Sequence, residues 1–387
     1  MAYFTRFCCR ICSLVMLSLI MMQATLAQTQ SKKYDFSKVG SWLTENTDEL
    51  GGRAVLVIFK DGNIIYNQAE NTMTNRQKAV TKFIARRQGK DTDEALKDFN
   101  SKTRERIASC SKWLSAALVM TFLDDGVLKL DDTVGKFLPV MTANGKGYIT
   151  ISNCLSHMTG IKAGTMRETN DAMKNMQSMD EAIALIAKQP MEGEPGKTFH
   201  YSNAGLQLAA AVIEKISGKD FETLFAERIA RPCGMINTDF GKGKVPLPAG
   251  GAWSTAEDYI RFLTMILNKG SYNGKQILSK NAIMEMQKNR VSEDVKVVYS
   301  PAEAGDWGYG FGEWVISDPL PSSPKEGEVK TKARSNAVTS PGLFGSFPWI
   351  DRDLNYAAFL FTFNINSKGR NERYMSLKKM VDEVLTK

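Results

Sequence analysis

The chain has 387 residues, 43% of them hydrophobic and 24% charged, with 30 Gly and 12 Pro; this excludes a disordered, collagen-like or coiled-coil protein and suits two domains or one large composite core. Its formal charge of +8 comes from 50 basic and 42 acidic residues interspersed along the sequence, which excludes the concentrated basic footprint of a nucleic-acid-binding protein. The only histidines are His157 and His200, so a multi-histidine metal centre is excluded and any Ser-His-Asp triad has to use one of these two.

In chain order, residues 1–27 carry Arg6 and Arg10, then an apolar run from Ile11 to Met22, then small residues around Ala24 and Ala27. This is the pattern of a secretory signal peptide, and the run is short of the roughly 20 residues of a membrane span. Its removal leaves 48 basic against 42 acidic residues, or +6. No cysteine follows the apolar run as a lipid anchor would require, so the expectation is a soluble periplasmic or secreted protein of residues 28–387 with no stable membrane span. Cys9 and Cys12 fall in the discarded segment. The mature chain keeps Cys110, Cys154 and Cys233, an odd, widely spaced set with room for at most one disulfide.

Phe36 to Leu50 reads as a helix, followed by a hairpin of Ala54–Phe59 and Ile64–Tyr66 about Asp61-Gly62. Asn71 to Arg106 is polar and basic, with one helix expected around Ala79 to Arg87, and reads as a solvated face. From Lys112 to about Asn289 the apolar spacing is helical: one helix ends near Gly126, one runs from Asn203 to Ile216 and stops at Gly218, and two others start at the capping-box pairs Ser178/Glu181 and Ser254/Glu257. Strands return at Phe311–Ile316, Leu343–Ile350 and Tyr356–Phe363, around a low-complexity loop from Asp318 to Arg334, before a helix from Glu372 to Leu385. A lone hairpin cannot bury both faces, so the expected fold is α/β in the α+β sense. One antiparallel sheet is built from both ends of the chain (about 36–70 and 305–387), is flanked by helices and carries a large inserted helical region (about 107–300).

Familiar enzyme signatures are missing: there is no G-x-S-x-G, H-E-x-x-H, phosphate loop or G-x-G-x-x-G, and Gly196-Lys197-Thr198 fails as a phosphate loop because Met191 holds the first glycine's place. S-x-x-K remains, which sets a hydroxyl and an amine on one face of a helical turn. It occurs at Ser109/Lys112, Ser322/Lys325 and Ser376/Lys379. Ser322 lies in the low-complexity loop and Ser376 on a terminal amphipathic helix, where nothing requires burial. Ser109 opens a strongly apolar helix (Trp113, Leu114, Ala116–Val119), whose free N–H groups favour developing negative charge and whose interior would lower the pKa of Lys112. Two readings stand at this point: nucleophile and proton acceptor, or N-cap and snorkelling lysine. Tyr201-Ser202-Asn203 is the only Y-x-N in the chain. Its tyrosine is a base if Lys112 holds it ionised and an interface residue otherwise, while Asn203 is either a site residue or an N-cap.

The ordered segments Ala108-Ser109-Cys110-Ser111-Lys112-Trp113, Leu155-Ser156-His157-Met158-Thr159-Gly160, Phe199-His200-Tyr201-Ser202-Asn203-Ala204-Gly205, Gly250-Gly251-Ala252-Trp253-Ser254-Thr255 and Trp307-Gly308-Tyr309-Gly310-Phe311-Gly312 resemble the serine hydrolases related to class C β-lactamases, penicillin-binding proteins, family VIII carboxylesterases and 6-aminohexanoate-oligomer hydrolases. The resemblance spans Val55 to the carboxyl terminus and implies a β-lactamase/transpeptidase-like fold. It makes Ser109 the nucleophile, Lys112 its proton partner, Tyr201 the base for the deacylating water, and Asn203 a holder of Lys112 and the substrate carbonyl. No metal or organic cofactor is implied. The third family motif falls on Ser340-Pro341-Gly342, a departure: Gly342 permits close backbone approach and the N–H of Leu343 would join that of Ser109 as an oxyanion hole, but the usual cation is absent and Pro341 lacks an N–H. Arg334 is a candidate replacement.

The resemblance thus implies a serine hydrolase acting on a small ester, amide or peptide through an acyl-enzyme on Ser109, with esters favoured because alcohol leaving groups demand less acid catalysis. The alternatives are a D-Ala-D-Ala carboxypeptidase or class C-type β-lactamase, or a non-catalytic cell-wall-binding relative. His157 and His200 read as structural and Cys110 as core. The methionines Met166, Met173, Met176, Met179 and Met191 are either gap-filling core or a rim over the cleft.

Overall fold

The hydrophobic strand Arg53–Lys60 (β1) is buried from Arg53 to Ile58, which requires partners on both edges and cover on both faces. The computed structural model describes residues 34–87, 89, 91–164, 176–316 and 336–387. The expected signal peptide, the loop from Asp318 to Arg334 with Ser322/Lys325 and Arg334, and Met166 and Met173 lie outside them. Ser37–Lys387 form one compact unit.

Its centre is a seven-stranded antiparallel sheet, with strands numbered here in chain order: β1, β2 (Asn63–Asn71), β3 (Gly308–Tyr309), β4 (Trp314–Val315), β5 (Ala337–Thr339), β6 (Phe347–Asp351) and β7 (Tyr356–Thr362). The spatial order is β2-β1-β7-β6-β5-β4-β3. The two ends of the chain meet where β1 pairs with β7, Val57 opposite Phe359. Asp61 and Gly62 both have positive φ, 49° and 84°, the geometry of the two-residue turn that matches strand twist. Alternation then divides the sheet's faces. Val55, Val57, Phe359 and Phe361 point into the main core with the inserted helices. On the other face Phe347 stacks on Tyr374, ring centroids 4.2 Å apart, under the terminal helix Arg370–Leu385.

The insertion is built on helices Ser111–Asp124 (α1), Ala204–Ser217 (α2) and Ala256–Leu267 (α3). Every residue of α1 from Ser111 to Phe122 is buried, so this helix runs through the interior rather than over it. It stops at Asp124, ahead of Gly126 (φ 71°), and α2 stops at Gly218 (φ 70°), as glycine placement predicts. Helix α3 lies on the sheet, with Tyr259 stacked on Phe359 at 4.6 Å.

Several expected elements shift. The helix expected around Ala79–Arg87 begins earlier, at Asn75. Ser178 caps its helix through the N–H of Glu181, but the second cap is Thr255, which accepts from the N–H of Asp258, because Ser254 is committed to a short strand paired with Glu105. The strand expected over Leu343–Ile350 starts only at Phe347; the residues before it form the turn between β5 and β6. The region expected to be nearly all helical also holds strand pieces, among them Thr198–His200 paired in parallel with Lys296–Tyr299. Cys110, Cys154 and Cys233 are free and buried. Among the described residues no helix is long and apolar enough to cross a membrane.

Candidate active site

Before α1 the chain passes from the strand Glu105–Arg106 into a single 3-10 turn, Ala108–Cys110, with Ala108 at φ +45°. A positive φ on a non-glycine residue costs free energy and persists only where surrounding contacts impose it. Those contacts are present. The Ser111 hydroxyl donates to the Ala108 carbonyl at 2.5 Å and accepts from the Ala252 N–H at 3.0 Å, the Ile107 N–H donates to the Ala252 carbonyl at 3.0 Å, and the Tyr259 hydroxyl donates to the Cys110 carbonyl at 2.8 Å. Ser109, 5% exposed, is thereby fixed two residues ahead of Ser111, the first residue of the helix. It is not the helix cap: Cys110 occupies that position and makes no capping bond through its side chain.

One turn on, Lys112 is fully buried and has no carboxylate partner among the described residues. Its Nζ lies 3.2 Å from Ser109 Oγ, 3.3 Å from Asn203 Oδ1 and 2.7 Å from the Ala249 carbonyl oxygen. Burial lowers its pKa from 10.5 to about 7, the neighbouring Cys110 opposing weakly. The partner set suits either protonation state. A charged amine has three N–H groups for three acceptors; a neutral amine donates to Ala249 and Asn203 and turns its lone pair to the Ser109 hydroxyl. At Ser376/Lys379, by contrast, the lysine is exposed.

Tyr201 follows Thr198–His200 and is tied by its N–H to the Tyr299 carbonyl at 3.0 Å. The Ser109 side chain is close enough to its hydroxyl to favour the phenolate, and Lys112 Nζ sits 4.7 Å from the centre of its ring. The phenol is buried against His157, Trp314 and Tyr309, and that burial raises its pKa even though Ser109 opposes the shift. The expected electrostatic pairing is therefore reversed in emphasis: burial makes Lys112 the easier group to deprotonate and keeps Tyr201 a phenol at neutral pH. Asn203 stands at the N-cap position of α2 but makes no capping bond through its side chain, and its Oδ1 accepts from Lys112 instead.

Neither histidine reaches Ser109 through any hydrogen bond among the described residues. The Ser202 N–H donates to His157 Nδ1 at 3.4 Å, which assigns the proton to Nε2, 2.9 Å from the Tyr309 hydroxyl. Burial, with the charges of Lys112 and His200, holds His157 well below its ordinary pKa, so it is neutral. It braces the backbone that carries Tyr201 and Asn203. His200 pairs with Glu192 at 2.5 Å.

The third motif forms the β5–β6 turn. A Cβ on Gly342 would meet the Ile107 carbonyl oxygen at 2.4 Å, so only glycine fits against the Ser109 turn. The Ser340 hydroxyl donates to the carbonyls of Gly312 (3.0 Å) and Ser109 (3.3 Å), so it holds the backbone of Ser109. Leu343, 43% exposed, lines the same cavity as Ser109 and Asn203, a cleft of about 1280 Å³. Met176 also lines it, while Met179 and Met191 pack against the core.

Sequence reasoning gave no role to Ala249, whose carbonyl is the shortest partner of Lys112, or to Ser115, whose hydroxyl donates to the Pro248 carbonyl at 2.6 Å. The run Pro248-Ala249-Gly250-Gly251 was the available signal, since small residues allow a backbone to approach a helix.

The sequence model of the beta-lactamase family matches residues 46–378. Among solved structures, a Bacteroides dorei DSM 17855 protein described as a candidate beta-lactamase shares 26% identity and superposes with a TM-score of 0.72 over 92% of this chain and all of its own. EstCE1, a hydrolase with promiscuous acyltransferase activity, shares the fold at 20% identity and a TM-score of 0.68, over 89% of this chain and 98% of EstCE1. The D-alanyl-D-alanine-carboxypeptidase/endopeptidase AmpH of Escherichia coli (strain K12) is 25% identical over 251 residues, 57% of this chain and 62% of AmpH.

Proposed function

Since the chain belongs to the beta-lactamase family, we propose that it is an exported serine hydrolase that cleaves a small ester or amide through an acyl-enzyme on Ser109. The observation that carries this reading is the Lys112 amine, fully buried without a counter-ion, with a pKa near 7 and 3.2 Å from the Ser109 hydroxyl. A lysine held this way is half neutral at pH 7 and accepts the serine proton as Oγ attacks the substrate carbonyl. The N–H groups of Ser109 and Leu343 have no backbone acceptor among the described residues, which supports their use as the oxyanion hole. The Tyr201 phenol, beside Ser109, passes its proton to the leaving group and recovers it from the Lys112 ammonium. In deacylation the reverse relay, through Tyr201 to neutral Lys112, takes the proton from the attacking water, and the Lys112 ammonium returns it to Ser109 Oγ as the acyl carbon–oxygen bond breaks. No metal enters these steps.

The likeness to AmpH favours a second reading, a D-alanyl-D-alanine carboxypeptidase. Against it stands the motif Ser340-Pro341-Gly342, which carries no cation of its own and whose serine hydroxyl is spent on backbone carbonyls. The test is intact-mass analysis of the mature protein and its Ser109→Ala variant after treatment with a fluorophosphonate. One adduct, absent in the variant, is expected; a folded parent without an adduct would overturn the reading in favour of a non-catalytic binding protein. Rates on a p-nitrophenyl ester, a chromogenic cephalosporin and a D-Ala-D-Ala peptide then separate the two hydrolase readings.

A further inference from the structure

The cleft around Ser109 is unevenly charged. Arg106, Lys242 and Lys244 line it, and no carboxylate does among the described residues. Strand alternation explains how Arg106 comes to be there: Glu105 faces the far side, toward the charge of Arg53, while Arg106 turns into the cleft. Trp253 lies between two arginines, Arg104 at 5.3 Å and Arg106 at 5.1 Å from its ring centre. Among the described residues Arg104 is paired with Asp239 at 2.6 Å, neither Arg106 nor Lys242 has an ion-pair partner, and Lys244 is met by the Gln177 side-chain amide oxygen. Three cations converging on one cavity repel each other unless an anion joins them. Between them the walls are apolar, formed by Met176, Phe240, Val245, Leu247, Trp253 and Phe344. The volume of about 1280 Å³ exceeds the needs of a short acyl group.

We propose that this cleft selects substrates with an apolar body that ends in an anionic group, the charge being held by Arg106, Lys242 and Lys244. The proposal rests on the hydrolase reading for the position of the scissile bond. The charge is read by the segments before Ser109 and around Gly243, not by the turn Ser340–Gly342, so the anion lies at a different place on the substrate from one bound by that turn.

The experiment compares two pairs of esters of equal leaving-group quality. One pair, mono-p-nitrophenyl suberate and p-nitrophenyl octanoate, varies charge on the acyl chain; the other, para-(carboxymethyl)phenyl octanoate and its methyl ester, varies it on the alcohol. At least one anionic ester should exceed its neutral partner about tenfold in kcat/KM at low salt, with the preference shrinking toward parity in about 1 M salt. The preference should fall to about one in the Arg106→Gln, Lys242→Gln, Lys244→Gln triple variant. A ratio measured on one preparation is independent of how much of it is folded, and if the triple variant cannot be purified, Lys242→Gln alone should lower the ratio about threefold. Parity for both pairs in the parent, or a preference that survives in the variants, overturns the proposal. If the parent takes no fluorophosphonate and cleaves no ester, the hydrolase reading has failed instead. Calorimetry of mono-p-nitrophenyl suberate with Ser109→Ala then decides the anion site, with about tenfold weaker binding on adding the triple substitution in its favour and absence of binding against it.

Discussion

Two buried lysines of this chain have opposite surroundings. Lys112, on α1, is enclosed by neutral groups, and burial takes its pKa down to about 7. Lys378, on the terminal helix, is nearly as buried but lies 2.7 Å from both Asp351 and Asp382; burial pulls it down, yet the Asp382 charge and the Asp351 bond outweigh that and its net shift is upward. Asp382 is anchored in turn by the Tyr356 hydroxyl, itself bonded to Trp349 Nε1, each at 2.6 Å. One lysine is part of a closed ionic network that pins a helix to the sheet. The other is left uncompensated, a cost to the fold that leaves a base beside a hydroxyl.

The largest expected effect sharpens this contrast. Lys112→Met should lower kcat/KM on an ester about 10⁴-fold, whereas Lys378→Met should keep activity per folded molecule within about twofold and lose about 3–5 kcal/mol of stability, because two carboxylates are left without their cation. Active-site titration with urea unfolding of both variants measures the two quantities, and equal activity losses would break the comparison. Next, Tyr201→Phe should cost about 10²–10³-fold in kcat while the fold is retained, read by single-turnover kinetics; a change under about threefold would remove Tyr201 from the proton path.

The pH profile follows. Activity should climb about tenfold per pH unit below pH 7 and level off above about 7, because neutral Lys112 is the active form. Flat activity down to pH 5 would contradict this. Stability carries the same signature: the folded pKa of Lys112 lies below its unfolded value of 10.5, so the unfolded chain binds more protons between about pH 7 and 10.5, and stability rises with pH across that window. The full penalty, reached below about pH 7, is roughly 5 kcal/mol. Lys112→Met should flatten this slope in thermal melts. Lys378, with its raised pKa, contributes its full stabilisation below its unfolded value of 10.5 and loses it as pH rises from there through the higher folded value. The smallest effect is expected for His157→Phe, about tenfold in kcat and about 1–3 kcal/mol in stability, through loss of the Ser202 and Tyr309 bonds. A loss as deep as that of Lys112→Met would make His157 a proton carrier.

Particular residues show how much was legible beforehand. The hairpin about Asp61-Gly62 and the stops at Gly126 and Gly218 were readable because each rests on a local rule about positive φ. Thr255 displaced Ser254 as a cap because a distant strand, Glu105–Arg106, claimed Ser254, and local spacing carries no record of that. The residues before Phe347 look like strand by composition, but Gly342 has to pass against the Ile107 carbonyl, which bends them into a turn. Ser109, Lys112, Tyr201 and Asn203 could be singled out by spacing and resemblance, while the partner of Lys112 on Ala249 could not, since nothing in an alanine's identity announces what its carbonyl will face.

The sequence alone determined that a hydroxyl and an amine share one helical turn, that two histidines are too few for a multi-histidine metal centre, and that a sheet from both chain ends would enclose a helical insertion, since each follows from residue identity and short-range periodicity. Only the tertiary structure decided that burial lowers the pKa of Lys112 to about 7 while Lys378 is kept charged, that Ser340 supports the backbone of Ser109, and that Arg106, Lys242 and Lys244 face one cavity. Those outcomes depend on which groups are brought within a few ångströms, Ala249 from 137 residues away for Lys112 and Asp351 from 27 for Lys378, and desolvation and Coulomb energy act on distance in space, not along the sequence.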